Sequence, residues 1–534
     1  MSMERMAALA DQPEPSIRDE FSVDWLDYHA RYDAEVVAAV DVDSGRSFTY
    51  GEFNDRLRRL AVGLKSAYGL EKGDRIAMLC HNSTDVFETL FAGWELGAAL
   101  MPLNWRLSAR EIAAILNHGE PSVLIHDEEF SHLVEGVGLP KLERRSDPAQ
   151  SEYEQLIAAS SGDALEPLHL TIDDLATLLY TSGTTGMPKG VIGTFRMMRD
   201  TIIHAALHGD LTGSSRSLTC APMFHSAGLY GFSMPVFHYG GTLCVMKQWD
   251  ARRFLGMLAD AEAGITHCLG VPVQYAMMAE LPEFAEAEFP TLRVAGVGAA
   301  PVSTDLLEAW SAKGVHLAQS YGLTEAFSVA ILPPRQAAGR VGSAGHRMMH
   351  TRLRIADEAG GEVPDGGVGE IQIKGPAVTP GYWKAPEETA KAFLDGWFRT
   401  GDAGRLAPDG TLYIVDRYKD MYISGGENVY PAEVENVLRE RPEVAAAAVL
   451  GVDDEKWGQA GLAVIQLRAG ANADADELLA HCADRLARYK LPKHVRFVEA
   501  LPMSAQGKVL KQELKRLYDP AGSAGGDSEQ RART

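Results

Sequence analysis

The segment that most constrains this chain begins with an apolar, strand-like run, Leu175 to Tyr180. It opens directly into Thr181-Ser182-Gly183-Thr184-Thr185-Gly186-Met187-Pro188-Lys189-Gly190. Those ten residues hold four hydroxyls, three glycines and one lysine. Glycines let a main chain approach a polyphosphate closely, hydroxyls and N–H groups donate to its oxygens, and Lys189 adds a point charge. A flexible connector is the plainer reading of a Gly/Ser/Thr stretch, but this one leaves an apolar strand and carries a specific pattern. The G-x-x-x-x-G-K-[ST] phosphate motif is excluded, because neither Gly183 nor Gly186 is followed correctly by Lys and Ser/Thr.

Around this loop, helical and strand patterns alternate. Helices are predicted near Phe53–Tyr68, Asp85–Leu96, Ala109–Leu116 and Arg252–Ala263, and strands near Arg75–Leu79, Leu100–Pro102, Thr242–Met246 and Leu292–Val297. That interval indicates α/β layers around a largely parallel sheet. After about residue 350, short strand patterns (Leu353–Ala356, Gly369–Lys374, Thr411–Val415) are separated by Gly/Pro/Asp turns, which reads as a β-rich subdomain. From Pro431 the order is helix, strand, strand, helix, a small α+β domain, and the Gly/Ser/Ala-rich end from Asp519 reads as a disordered tail. A chain of 534 residues exceeds one core, so several folding units are expected.

The net charge of −22 argues against nucleic acid and anionic membranes as partners. Anionic substrates would need local Lys, Arg and N–H clusters. The five cysteines are scattered, with no C-x-x-C pair or zinc spacing, and read as reduced thiols in a cytoplasmic protein. MSMERMAALADQPEPS lacks the apolar core of a signal peptide, and Val86–Leu103, interrupted by Glu88 and Glu95, reads as a buried helix and not a membrane span.

The loop resembles the phosphate loop of the adenylate-forming superfamily, which includes acyl-CoA ligases, luciferases and peptide-synthetase adenylation domains. The resemblance covers Phe48 to Leu517, and further motifs follow in the family's order. It implies ATP, Mg²⁺ and coenzyme A as ligands and a small-molecule carboxylic acid as substrate. Gln319-Ser320-Tyr321-Gly322-Leu323-Thr324-Glu325 resembles the segment in which Tyr321 stacks on adenine, Thr324 meets the α-phosphate and Glu325 holds Mg²⁺, with Thr185 as a second metal contact. Read alone, that segment is equally a helix N-cap at Thr324. Trp397-Phe398-Arg399-Thr400-Gly401-Asp402 resembles the ribose motif, since a carboxylate such as Asp402 can accept both hydroxyls. Ile414-Val415-Asp416-Arg417-Tyr418-Lys419-Asp420 resembles the domain junction, with Ile414 and Arg417 at the nucleotide and Lys419 as hinge.

The remaining assignments are also implied by the resemblance. Gly425 and Gly426 approach the pantetheine arm of CoA, with Trp457 and Tyr489 beside its nucleotide. Core packing is the plainer role for Trp457. Lys508, in Leu501-Pro502-Met503-Ser504-Ala505-Gln506-Gly507-Lys508, is the catalytic lysine. His225 gates the acid carboxylate, and Gly298, Ala299 and Ala300 floor the adenine site, where relatives often have Gly in place of Ala299. The acyl pocket is expected from His225, Gly228, Leu229, Val271, Pro272, Gly296 and Ala300, which lack a cation for a second acidic end and so suggest a hydrophobic acid. The domains implied are 1–417, 418–518 and a tail 519–534. Rival readings are a carrier-protein loading enzyme (Gly525-Gly526-Asp527-Ser528 mimics a pantetheine site), a luciferase-like oxygenase, or a non-catalytic nucleotide module. Oligomeric state stays open, a homodimer included.

Overall fold

The structure, a computed structural model, describes residues 22–518 except 164, 167, 182–187, 301, 337–339, 341, 418–419, 425–426, 455–456, 487 and 504–508, with the backbone alone at 335, 417, 427 and 428. Two compact units are formed. The first runs to Arg352 and includes Ile373–Phe398, and the second holds Leu353–Gln372 and the chain from Arg399.

In the first unit one six-stranded sheet has the order Lys141–Arg144, Val123–Asp127, Arg75–Leu79, Ala99–Pro102, Leu175–Thr181, Lys189–Thr194. All its neighbours are parallel except the last pair, which forms a hairpin. A nine-stranded sheet has a parallel centre made by Ala318–Tyr321, Val294–Gly298, His267–Gly270, Arg216–Thr219, Thr242–Val245 and Val37–Asp41. Its edges, Ser47–Thr49 on one side and Ala330–Ile331 with His346–Arg347 on the other, are antiparallel.

The helices follow from local chemistry. Thr49 and Glu52 form a capping box at the start of Tyr50–Tyr68, which ends at Gly69 in the left-handed region. Ser108 and Glu111 do the same for Ala109–Gly119. The helix Thr84–Glu95 has eleven of its twelve residues buried, its polar side chains included. Its two buried carboxylates are matched by arginines. Arg56 grips Glu88 at 2.8 and 3.1 Å, and Arg144 and Arg46 reach Asp85 at 2.6 and 3.1 Å. Among the described residues, no helix is long and apolar enough to cross a membrane. All five cysteines are free and buried.

The second unit contains antiparallel pairing of Asp402–Leu406 with Leu412–Arg417. It also holds a sheet in which Gly458–Leu467 pairs with Val444–Asp454, with Tyr422–Ser424 and, in parallel, with His494–Val498. The helices Pro431–Arg439 and Ala475–Ala483 bury Val434, Leu438, Leu478 and Cys482 against that sheet.

Candidate active site

Strand topology gathers the first unit's candidate residues. In a parallel sheet the loops leaving the carboxyl ends of neighbouring strands open on the same side, where ligands bind in α/β proteins. Four consecutive strands do this here. Arg216–Thr219 leads to the Pro222–His225 loop, His267–Gly270 to Val271 and Pro272, Val294–Gly298 to Ala299 and Ala300, and Ala318–Tyr321 to Gly322 and Thr324. Register sets two of them directly side by side, since Val297 pairs with Gln319 and Gly298 with Ser320.

Gly298 permits that approach. A Cβ there would stand 2.7 Å from Ser320 Oγ and 2.8 Å from its carbonyl oxygen. Ala299 has φ of 67°, a left-handed backbone in a residue with a side chain. A glycine there would carry no such backbone strain. Gln319 is buried, Tyr321 and Thr324 are partly buried, and residues 324–326 form a turn, so no helix starts at Thr324.

The phosphate loop springs from the hairpin. Thr181 and Lys189 are its last paired residues, so the loop's two feet are fixed by a β-ladder. Ser182, Gly183, Thr184, Thr185 and Gly186 lie outside the described residues. Lys189 pairs with Glu388 and lies 5.2 Å from the centroid of the Tyr382 ring. The Lys189 ammonium, through that pairing, holds the Glu388 carboxyl below its usual range. Tyr382 in turn donates its hydroxyl to Glu325 Oε1 at 2.8 Å. Burial, then the Glu325 charge, raises the Tyr382 pKa, so it stays a donor.

Thr379–Trp383 is the stretch that sequence reasoning missed. Its backbone joins both elements, as Thr379 N–H donates to the Glu325 carbonyl at 2.7 Å and Trp383 N–H to the Gly190 carbonyl at 2.7 Å. The available signal was Gly381-Tyr382-Trp383, two aromatics after a glycine that sits at φ 148°.

Two acyl candidates prove to be tightly enclosed. Leu229 is fully buried in the main core, and a Cβ on Gly228 would meet the carbonyls of Pro222 and Ala221 at 2.3 and 2.5 Å. Gly296 faces side chains instead, with Leu269 Cδ1 at 2.8 Å and Phe232 Cε2 at 3.3 Å from a built Cβ. Val271 is exposed, and Pro272 is the first residue of the helix Pro272–Ala279. His225 caps Ser226–Tyr230, its ring 4.6 Å from that of Phe224.

In the second unit Asp402 is the cross-strand partner of Arg417. The register then slips, since Ala403 faces Asp416 and Gly404 faces Ile414, which leaves Val415 as a bulge. Asp416, also missed from sequence, accepts from the Ala432 N–H at 2.6 Å and so holds the start of Pro431–Arg439. Trp457 is 38% exposed, with Lys493 Nζ 5.0 Å from its ring centroid, a surface position and not a core one. Tyr489 is partly buried against the small core. Lys419, Gly425, Gly426 and Lys508, the Arg417 side chain, and the N-terminal and tail segments lie outside the described residues.

The donor set fits the ligands expected. Glu325 offers a hard carboxylate oxygen oriented by a hydroxyl, suited to Mg²⁺, and Gly298 allows a close approach of ligand to main chain.

The model of the AMP-binding enzyme family matches residues 26–383, and that of the AMP-binding enzyme C-terminal domain matches 433–508. A feruloyl-CoA synthase of an Amycolatopsis species is 41% identical over 475 residues, 89% of this chain and 94% of that protein. The long-chain-fatty-acid–CoA ligase FadD13 of Mycobacterium tuberculosis is 35% identical over 508 residues, 93% of this chain and 98% of that one. The structure of o-succinylbenzoate CoA synthetase (MenE) of Bacillus subtilis with ATP and magnesium ion has a TM-score of 0.82 and 31% identity, covering 92% of this chain and 99% of that one.

Proposed function

The chain belongs to the AMP-binding enzyme family, and from that premise we propose the following assignment of its parts within an AMP-forming acyl-CoA ligase. The overall reaction converts a carboxylic acid, ATP and CoA to acyl-CoA, AMP and diphosphate. The observation that carries the assignment is the linkage of Lys189, Tyr382 and Glu325, which joins a foot of the phosphate loop to the proposed metal ligand.

In the first half-reaction a carboxylate oxygen of the acid attacks the α-phosphorus, and the bond to the bridging oxygen breaks so that diphosphate leaves. Charge gathers on the α-phosphate oxygens. Lys508 and Thr324 would meet that charge, and preorganised charge of this kind is the main catalytic device in such transfers. Glu325 and Thr185 would hold Mg²⁺, which would supply charge neutralisation at the phosphates. Gly298, Ala299, Ala300, Gln319, Ser320, Tyr321 and Gly322 take the adenine, and Asp402, Ile414 and Arg417 the ribose. In the second half-reaction the 418–518 domain pivots at Lys419. Lys508 withdraws, and Gly425, Gly426, Trp457 and Tyr489 serve CoA. The thiol sulfur attacks the acyl carbon, AMP leaves with the electron pair, and the thiol proton goes to solvent. His225 gates between the two steps.

The acid is apolar, of aryl, phenylpropenoic or fatty type. Val271, Pro272 and Gly296, with Leu269 and Phe232 beside it, support this, as do the acids named for the two relatives. The compartment assigned is the cytoplasm, consistent with five free thiols. AMP formation measured across a panel of acids, with CoA, with a pantetheinylated carrier protein, and with neither, tests the proposal. Turnover that requires the carrier protein in place of CoA, or a preference for acetate, would overturn it.

A further inference from the structure

The helix Phe195–Gly209 continues from the hairpin strand Lys189–Thr194. It carries Asp200 and His204 one turn apart, on the same face. The turn after His346–Arg347 brings His350 against them, so that one ligand atom from each of the three lies within 4.8 Å of the others. None of the three belongs to a segment assigned above.

Asp200 is fully buried, and its two oxygens are served unequally. Oδ1 accepts from His350 Nδ1 at 2.7 Å. Among the described residues Oδ2 has no hydrogen-bond donor, and the Arg199 Nη2 cation stands off at 3.8 Å. A buried carboxylate oxygen left this way is costly and calls for a further ligand. His204 is prepared in the manner of a metal ligand. Its Nε2 donates to the Met349 carbonyl at 2.7 Å, which fixes the tautomer and leaves a lone pair on Nδ1. Burial also lowers its pKa, keeping the ring neutral. His350 is held at φ 65°, and its side chain is 46% exposed, which gives a cation a route from solvent.

We propose that Asp200, His204 and His350 form a binding site for a borderline divalent cation of the zinc or cobalt class, separate from the Mg²⁺ position. Two imidazoles and a carboxylate, with open positions for water, suit these ions far better than Mg²⁺. On binding, the hydrogen bond between His350 and Asp200 gives way to coordination by both, and the proton on His350 Nδ1 passes by way of solvent to Nε2 as the metal takes its place. The ion clamps the turn at 348–351 to the helix, just before the chain leaves the first unit at Arg352.

The test uses tag-free, chelator-stripped, full-length protein titrated with Co²⁺ alone and followed by visible absorption, with Zn²⁺ as competitor. One saturable equivalent is expected, displaced by Zn²⁺ and unaffected by excess Mg²⁺. The dissociation constant should rise at least about tenfold in His204→Gln and in His350→Gln. Asp200→Asn strips a buried charge and endangers the fold, so the exposed His350 carries the test. Zn²⁺ should also raise the thermal midpoint of the wild type but not that of His350→Gln. Absence of a saturable cobalt band in the wild type, or the same band and affinity in both histidine variants, overturns the site.

Discussion

The Tyr382 hydroxyl donates to Glu325 Oε1 at 2.8 Å while the same ring lies 5.2 Å from Lys189 Nζ. One side chain thus touches both a foot of the phosphate loop and the carboxylate assigned to magnesium. Neither charged residue is near the other in sequence, and only the crossing of Thr379–Trp383 brings them under common control.

Tyr382→Phe keeps the ring and removes the donor. A hydrogen bond to a charged group contributes roughly 1.5–3 kcal/mol, and about 1.4 kcal/mol is tenfold in rate. Acid-dependent ATP–pyrophosphate exchange should therefore fall about tenfold or more, with saturation shifted to higher Mg²⁺. An unchanged Mg²⁺ dependence would detach Tyr382 from the metal.

Lys508→Ala should slow pyrophosphate release by about a hundredfold or more, the typical cost of one electrostatic contact to a transition state. Thioester formation from supplied acyl-adenylate should survive. Equal losses in both steps would end the division of labour assigned to this lysine.

Two small substitutions should act in opposite directions on stability. Ala299→Gly relieves a left-handed backbone whose cost is roughly 1–2 kcal/mol, partly offset by glycine's greater chain entropy. Gly228→Ala drives a Cβ into two backbone carbonyls and should cost roughly 1–3 kcal/mol. Denaturant midpoints for the pair check both signs.

The acid preference should track size. Each buried methylene should improve kcat/KM by roughly 0.8 kcal/mol until the pocket fills. Gly296→Leu, pressing on Leu269 and Phe232, should penalise the bulkiest acids while sparing short ones. A variant with an unaltered acid profile would place the pocket elsewhere.

Acid should unfold the first unit through its buried imidazoles. Burial pushes His238 and His267 from 6.5 down to about 4. A lowered pKa means stability that is complete above 6.5 and lost as pH falls from there towards 4. The gap corresponds to about 3 kcal/mol for each group. His267, whose Nε2 donates to the Gly209 carbonyl at 2.7 Å, supplies the variant. His267→Gln should flatten the fall in denaturation midpoint between pH 6.5 and 4, and an unchanged slope would refute the assignment.

The strands Arg75–Leu79 and Gly369–Lys374 were legible to the residue, because a short apolar run in the first and a polar–apolar alternation in the second, each bounded by turn residues, leave little freedom in where they end. The capped helices were nearly as clear, whereas Ser182 to Gly186 of the phosphate loop lie outside the described residues and only the loop's feet, Thr181 and Lys189, are seen paired. Tyr382 and Asp416 were not legible. Each acts through a contact with an element distant in the chain or across a turn, and nothing in its immediate neighbours announces the partner. Leu229 shows the reverse difficulty, since an apolar residue next to a functional loop reads the same whether it lines a pocket or fills the core.

Val415 makes no ladder pair, yet it decides where its neighbours point. Side chains alternate along a strand, so one unpaired residue exchanges the faces of everything beyond it. Because of Val415, Ile414 and Asp416 stand on opposite faces although they are two apart in sequence, and Asp416 comes opposite Ala403, within reach of the Ala432 N–H. Losing the bulge at unchanged length would instead pair Val415 with Ala403 and bring Asp416 opposite Asp402, so loop grafts between relatives should be cut outside residues 402–417.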